Sequence, residues 1–148
     1  MPIFKEIHTD NNHISIWQID EPESVLLSEL EPTVELPVNP SRRLERLAVL
    51  NLLKQLGYGE RYFYNANGSP YLTTSNSHIS ISHAGNKVVL ASNSIQPIGV
   101  DIENVNRNYK RVAPRYMSQR EICHVTSYGQ NELSLIWCVK EAIYKFPW

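Results

Sequence analysis

"HISISHAGNKVVLASNSIQPIGVDIE", residues 78–103, contains three short runs rich in β-branched residues, "HISIS" (78–82), "KVVLAS" (87–92) and "IGVDIE" (98–103), separated by turns bearing Gly and Asn. The alternation and the turn chemistry predict three strands in succession, which suits antiparallel pairing better than helix-linked parallel strands. Working outward, "HISIWQI" (13–19) alternates in the same way, with Ile14, Ile16 and Gln18 on one face and Ser15, Trp17 and Ile19 on the other. "RYFYN" (61–65) reads as another strand, followed by the turn residues "NANGSP" (65–70).

Helical signals flank the strands. A short helix is predicted over 21–31, opened by Pro22, and a longer one from about Pro40 to Leu56. In the longer one Leu44, Leu47, Val49, Leu50, Leu53 and Leu56 form an apolar side and Gly57 supplies the stop. Its first turns carry Arg42, Arg43 and Arg46, where the helix dipole prefers acids, a placement that invites an anionic partner. Residues 104–116 read as loop or irregular helix. A helix from Ser118 follows, with Glu121 completing a capping box, and a last one runs from Asn131 to Lys145. The fold class is therefore α+β, an antiparallel sheet with packed helices.

Composition sets the outer bounds. With 148 residues, 42% hydrophobic and 20% charged, the chain can bury one core. The net charge of −1 supplies no sustained basic field, which argues against general nucleic-acid binding. No apolar run approaches the roughly 20 residues of a membrane span, and "MPIFKEIHTDNN" lacks the order of a secretory signal, so a cytoplasmic protein is expected. Cys123 and Cys138 lie too far apart to suggest a metal knuckle or a disulfide scaffold.

Three stretches carry candidate chemistry. Asp101 and Glu103 sit two apart on a predicted strand, so their carboxylates project from one face; oxygen-only ligands of this kind suit magnesium, although a solvated acidic edge strand explains them too. Ser82 and His83 stand beside a Gly-containing turn, where a ligand can reach an imidazole. As neighbours in a strand they point to opposite faces, which disfavours a serine hydrolase pair. In the last helix, Leu135, Val139, Ala142 and Phe146, flanked by Ile136 and Ile143, form the expected core face, while Trp137, Glu141, Tyr144 and Lys145 form the opposite one. Glu141 and Lys145 have the spacing of a helical ion pair as well as of a site.

Taken together, "GSPYL" (68–72), "ISISHAG" (79–85), "GVDIE" (99–103) and "WCVKEAIYK" (137–145) resemble, in order and spacing, the 4′-phosphopantetheinyl transferase superfamily, in particular its larger surfactin-type branch. The family pattern G-[IV]-D-[IVL]-E followed by W-x-x-K-E-A-x-x-K is matched at every fixed position, and "SRRLERLAVLNLL" (41–53) resembles the family's arginine-bearing helix. The resemblance implies a two-lobed fold, an N-terminal lobe over 1–97 and the start of a C-terminal lobe over 98–148, with that second lobe incomplete.

It also implies transfer of phosphopantetheine from coenzyme A to a serine of an acyl or peptidyl carrier protein, with magnesium at the diphosphate. Asp101, Glu103 and Glu141 match the metal positions, Glu141 also being the family's base for the carrier serine. Lys145 matches the lysine at the diphosphate, and Lys140 of the same motif is taken as a further coenzyme-binding residue. Ser82 and His83 match the 3′-phosphate position, assisted by an early arginine, taken as Arg43 rather than Arg42. Ser69 stands where the family's G-[KR]-P turn has a basic residue, so one coenzyme contact is missing.

The family's larger members continue beyond this helix, so a shortened member that binds coenzyme A or carrier without efficient transfer is the alternative. An unfinished lobe leaves the Leu135, Val139, Ala142 and Phe146 face to be covered by the first lobe or by a second copy of the chain. An unrelated α+β interaction domain would need four coincident motifs.

Overall fold

The computed structural model describes residues 3–125 and 129–146. Its main sheet has four strands in the order β1-β2-β6-β5, all neighbours antiparallel: β1 (Lys5–His8), β2 (Asn12–Gln18), β5 (His78–Ala84) and β6 (Lys87–Asn93). The predicted α+β architecture is borne out, and β1 is a strand the periodicity did not indicate. A two-residue connection joins β5 to β6, with Gly85 at φ 60°, a conformation glycine adopts without strain. A separate two-stranded ribbon pairs β3 (Phe63–Tyr64) with β4 (Pro70–Tyr71) across the 65–69 turn.

Pleating divides the main sheet into two chemically distinct faces. Trp17, Ile79, Val88 and Leu90 lie on one face and are buried against Leu26 of α1 (Glu23–Ser28) and Leu47, Leu50 and Leu53 of α2 (Pro40–Gln55). Asn39 caps α2 through its side chain, Pro40 occupies the first turn, and Gly57 follows the helix at φ 78°. Buried Asn51 is satisfied within this layer, its amide donating to the carbonyls of Leu26 and Leu47 at 2.9 Å each.

The opposite face of β5 presents Ser80 and Ser82, both buried. Residues 98–103 run beside them without forming the predicted strand. The amides of Val100 and Ile102 donate to the hydroxyls of Ser80 (3.0 Å) and Ser82 (3.4 Å). Serine side chains two apart on a strand thus offer acceptors at the spacing of alternate amides, in the place of a backbone ladder.

Among the described residues three helices follow: α3 (Tyr109–Tyr116), α4 (Gln119–Val125) and α5 (Gln130–Tyr144). The predicted capping box closes α4, the Ser118 amide donating to Glu121 at 2.6 Å and the Glu121 amide to Ser118 at 3.3 Å. Tyr109, Met117 and Leu133 form a second apolar cluster, with Tyr116, Ile136 and Trp137 packed against it. Here the expected faces of α5 are corrected. Trp137 belongs to the packed side, its ring edge-on to Tyr116 at 4.9 Å. Leu135, Val139 and Ile143, expected in the core, are 65%, 49% and 52% exposed. An indole that buries a large ring and also satisfies its N–H on Glu103 at 2.7 Å holds the helix in this rotation.

Candidate active site

α5 approaches the 98–103 segment at Gly99, where a Cβ would lie 2.0 Å from the carbonyl oxygen of Ala142. This backbone contact brings the C-terminal turn of α5 over the serine face of β5. Between them lies a cleft of about 380 Å³, lined by residues 67–70 of the ribbon turn, 80–83 of β5, 101–103, and Glu141, Tyr144, Lys145 and Phe146. That size suits a small-molecule site.

Lys145, Asp101 and Ser82 form the floor of the cleft. The Lys145 ammonium donates to Asp101 Oδ1 at 2.6 Å and to Ser82 Oγ at 2.9 Å, and Ser82 donates to the same carboxylate oxygen at 2.8 Å. Lys145 therefore does not form the alternative helical pair with Glu141. The Asp101 side chain is only 5% exposed, and its Oδ2 is buried without a hydrogen-bond partner. A buried carboxylate oxygen left unsatisfied is costly, and a cation beside it would remove the cost. Nearby, burial together with the negative charge of Asp101 pushes the Cys138 thiol up to about 12, so it stays protonated and inert.

Glu141 also lines the cleft, and its carboxylate has no hydrogen bond or ion pair among the described residues. An unpartnered carboxylate and an orphaned Asp101 oxygen fit a hard divalent cation, which takes oxygen ligands. Glu103 is differently engaged. Its Oε1 accepts from Trp137 Nε1 (2.7 Å) and Arg107 (3.1 Å), and its Oε2 from the Tyr109 hydroxyl (3.2 Å). Burial and the adjacent Glu103 raise the Tyr109 phenol to about 12. Asp101, Glu103 and Glu141 are not among the residues that bring three potential ligand atoms within 4.8 Å of one another in the described chain.

His83 stands at the rim, its side chain on the α2 side of β5 and that of Ser82 on the other, as strand geometry requires. Arg42 donates from Nη1 to His83 Nε2 at 2.6 Å, and His83 Nδ1 lies 3.2 Å from Glu45 Oε1. Arg43, the arginine preferred from the sequence, instead reaches Glu23 at 3.3 Å and the Val38 carbonyl. One helical step of about 100° separates the two; the i,i+3 partner Glu45 marks the Arg42 face as the one turned toward β5. Lys140 is absent from the cleft lining. It joins three helices by donating to the Tyr116 carbonyl at 2.8 Å and pairing with Glu121 at 2.7 Å. Tyr144 lines the cleft beside Glu141 and Lys145, as its place on that side of α5 suggested; Tyr64 and Asn67 line it without having been singled out, although the dense turn around Asn67 is visible in the sequence.

The segment that carries this floor and the last helix has a sequence match. Residues 97–146 match the 4′-phosphopantetheinyl transferase superfamily. The recognition made from the motifs holds over that stretch. The chain is also 35% identical over 74 residues to the 4′-phosphopantetheinyl transferase ffp of Bacillus subtilis. That match covers 47% of this chain and spans 33%, about a third, of the length of the relative. Among the described residues no helix is long and apolar enough to cross a membrane.

Proposed function

We propose that the chain is the catalytic part of a magnesium-dependent 4′-phosphopantetheinyl transferase, moving the phosphopantetheine arm of coenzyme A to a serine of an acyl or peptidyl carrier protein. The observation that carries this reading is the buried, unpartnered oxygen of Asp101 in a cleft that also holds Lys145 and Glu141, within the segment matching the superfamily.

In this reading Asp101 and Glu141 would hold magnesium, with Glu103 completing the set after its hydrogen bonds rearrange. When bound, the cation would neutralise diphosphate charge. Glu141 accepts the proton of the carrier serine as its oxygen attacks the phosphorus that bears the pantetheine. The bond from that phosphorus to the bridging oxygen breaks, and adenosine 3′,5′-bisphosphate leaves. The Lys145 ammonium, held at the floor by Asp101 and Ser82, stabilises the negative charge that develops on the departing phosphate. His83 and Arg42 at the rim meet the 3′-phosphate, Arg42 supplying a permanent positive charge. Ser69, in the ribbon turn of the cleft, can contribute a hydroxyl but no charge.

Mass spectrometry of an apo carrier protein incubated with the chain, coenzyme A and magnesium tests the proposal directly. The carrier should gain one phosphopantetheine, and Glu141→Gln should lower the rate at least about a hundredfold, as loss of a positioned base does. No gain with any of several carriers would overturn it.

A second reading, coenzyme A or carrier binding without efficient transfer, has its own support. Both oxygens of Glu103 are engaged, and three carboxylates are not gathered at ligand distance in the described chain. Calorimetric binding of coenzyme A and magnesium without any mass gain on the carrier would select it.

A further inference from the structure

At the far edge of the sheet, the β1–β2 hairpin gathers a second group of metal-ligating side chains, away from the cleft. Glu6 and His8 lie two apart on β1 and therefore on one face; His13 of β2 is registered directly opposite His8. The two imidazoles stack with ring centroids 4.1 Å apart and planes inclined by 28°. Glu6 reaches both rings, its Oε1 lying 3.0 Å from His13 Nε2 and its Oε2 3.9 Å from His8 Nε2. One ligand atom from each of the three lies within 4.8 Å of the others, and among the described residues no other three-residue set of this kind occurs.

We propose that Glu6, His8 and His13 form a binding site for a divalent transition-metal ion of borderline softness, with zinc as the ion tested. Two imidazole nitrogens and one carboxylate oxygen are a donor set that suits zinc and is poorly matched to magnesium, which prefers oxygen. Around a tetrahedral zinc with bonds of about 2.0–2.1 Å, donor atoms are separated by roughly 3.3 Å. The Glu6–His13 distance is already shorter than that, while the 3.9 Å to His8 is made by the other Glu6 oxygen, so a side chain must turn for both imidazoles to meet one ion.

Exposed side chains can make the small closing movement by rotation alone, and the His8 side chain is 62% exposed and Glu6 40%. An ion held by these three side chains would leave a fourth position open to solvent. Ser15 Oγ lies 3.2 Å from the same His13 Nε2 and would give up that contact to the ion. The hairpin supplies rigidity: the β1–β2 register runs over four residue pairs, and β2 is tied to β6 along its full length.

Zinc affinity and stoichiometry of the intact chain, measured by competition with a chromophoric chelator, test the site. One equivalent of zinc should bind, and His8→Ala, His13→Ala and Glu6→Gln should each weaken that equivalent about tenfold or more, since losing a ligand costs at least as much as losing an outer-shell partner. His83→Ala and Asp101→Asn should leave it unchanged, which separates the site from the cleft and makes the result independent of the transfer reaction. Circular dichroism of the hairpin variants checks that they fold, and Glu6→Gln keeps the shape of the side chain if a histidine variant does not. Absence of a zinc equivalent in the unaltered chain, or hairpin variants that bind zinc as the unaltered chain does, would overturn the proposal.

Discussion

Asp101 illustrates how one residue can be tied to two roles. One oxygen is saturated by Lys145 and Ser82 and the other is buried with nothing to accept. Replacing Asp101 by Asn removes the ion pair and leaves an amide with one more donor to place. A loss of about 1–3 kcal/mol in urea unfolding is expected, below that of a fully buried pair because the Lys145 side chain is 29% exposed. In calorimetry, Asp101→Asn should bind coenzyme A with no strengthening by magnesium; unchanged magnesium dependence would move the cation to other residues. At this scale the sequence was informative. Asp101, Glu141, Lys145, Ser82 and His83 all reach the cleft, as their motifs implied. Arg42 and Lys140 were decided by helix rotation, which spacing alone leaves open between neighbouring residues.

At the scale of elements, two contacts besides Trp137 place α5. Gly99 admits the Ala142 carbonyl, so Gly99→Ala forces backbone apart where no flexible side chain can yield. The expected cost is about 1–3 kcal/mol, together with weakened coenzyme binding, because Glu141 and Lys145 ride on the displaced turn. Retained stability with lost binding would fit displacement of α5 as a unit; no change in either would sink the account.

The second contact is Lys140 with Glu121, joining α5 to α4. The Lys140 ammonium, helped by the Ser118 amide, holds the Glu121 carboxyl down at about 2. A carboxyl whose folded pKa is depressed stabilises the fold above its unfolded value near 4.5, and that contribution fades as pH falls from there through about 2. Lys140→Met should move the Glu121 carboxyl back toward the ordinary range in an NMR titration and flatten the acid limb of stability between those values. The strand expected at 98–103 failed for a reason also seated in this layer. Its β-branched pattern is real, but serines on β5 take its amides, so an extended segment forms without a ladder.

For the molecule as a whole, the exposed stripe of Leu135, Val139 and Ile143 is the main departure from the expected packing. The first layers of the chain do not cover it in the described structure, which leaves association between copies as the expectation to test. Light scattering should detect concentration-dependent association, and Val139→Glu should reduce it while changing unfolding stability by no more than about 0.5 kcal/mol, as for an ordinary surface site. A strictly monomeric chain at all concentrations would remove that expectation.

The amino-acid sequence alone determined most of the local elements, β1 and the 98–103 segment excepted, and much of the chemistry within them. Turn residues, the Pro40 start, the Gly57 stop and the Ser118–Glu121 box act over a few residues, and their energies do not depend on distant partners. The order of motifs likewise marked the residues that line the cleft. Tertiary structure decided which arginine meets His83, which side of α5 is packed, and how residues 98–103 satisfy their amides. It also brought His13 onto Glu6 and His8. Each of these depends on the rotation of a helix or the pairing of strands, and is settled by which large side chains and polar groups find complete partners across the fold.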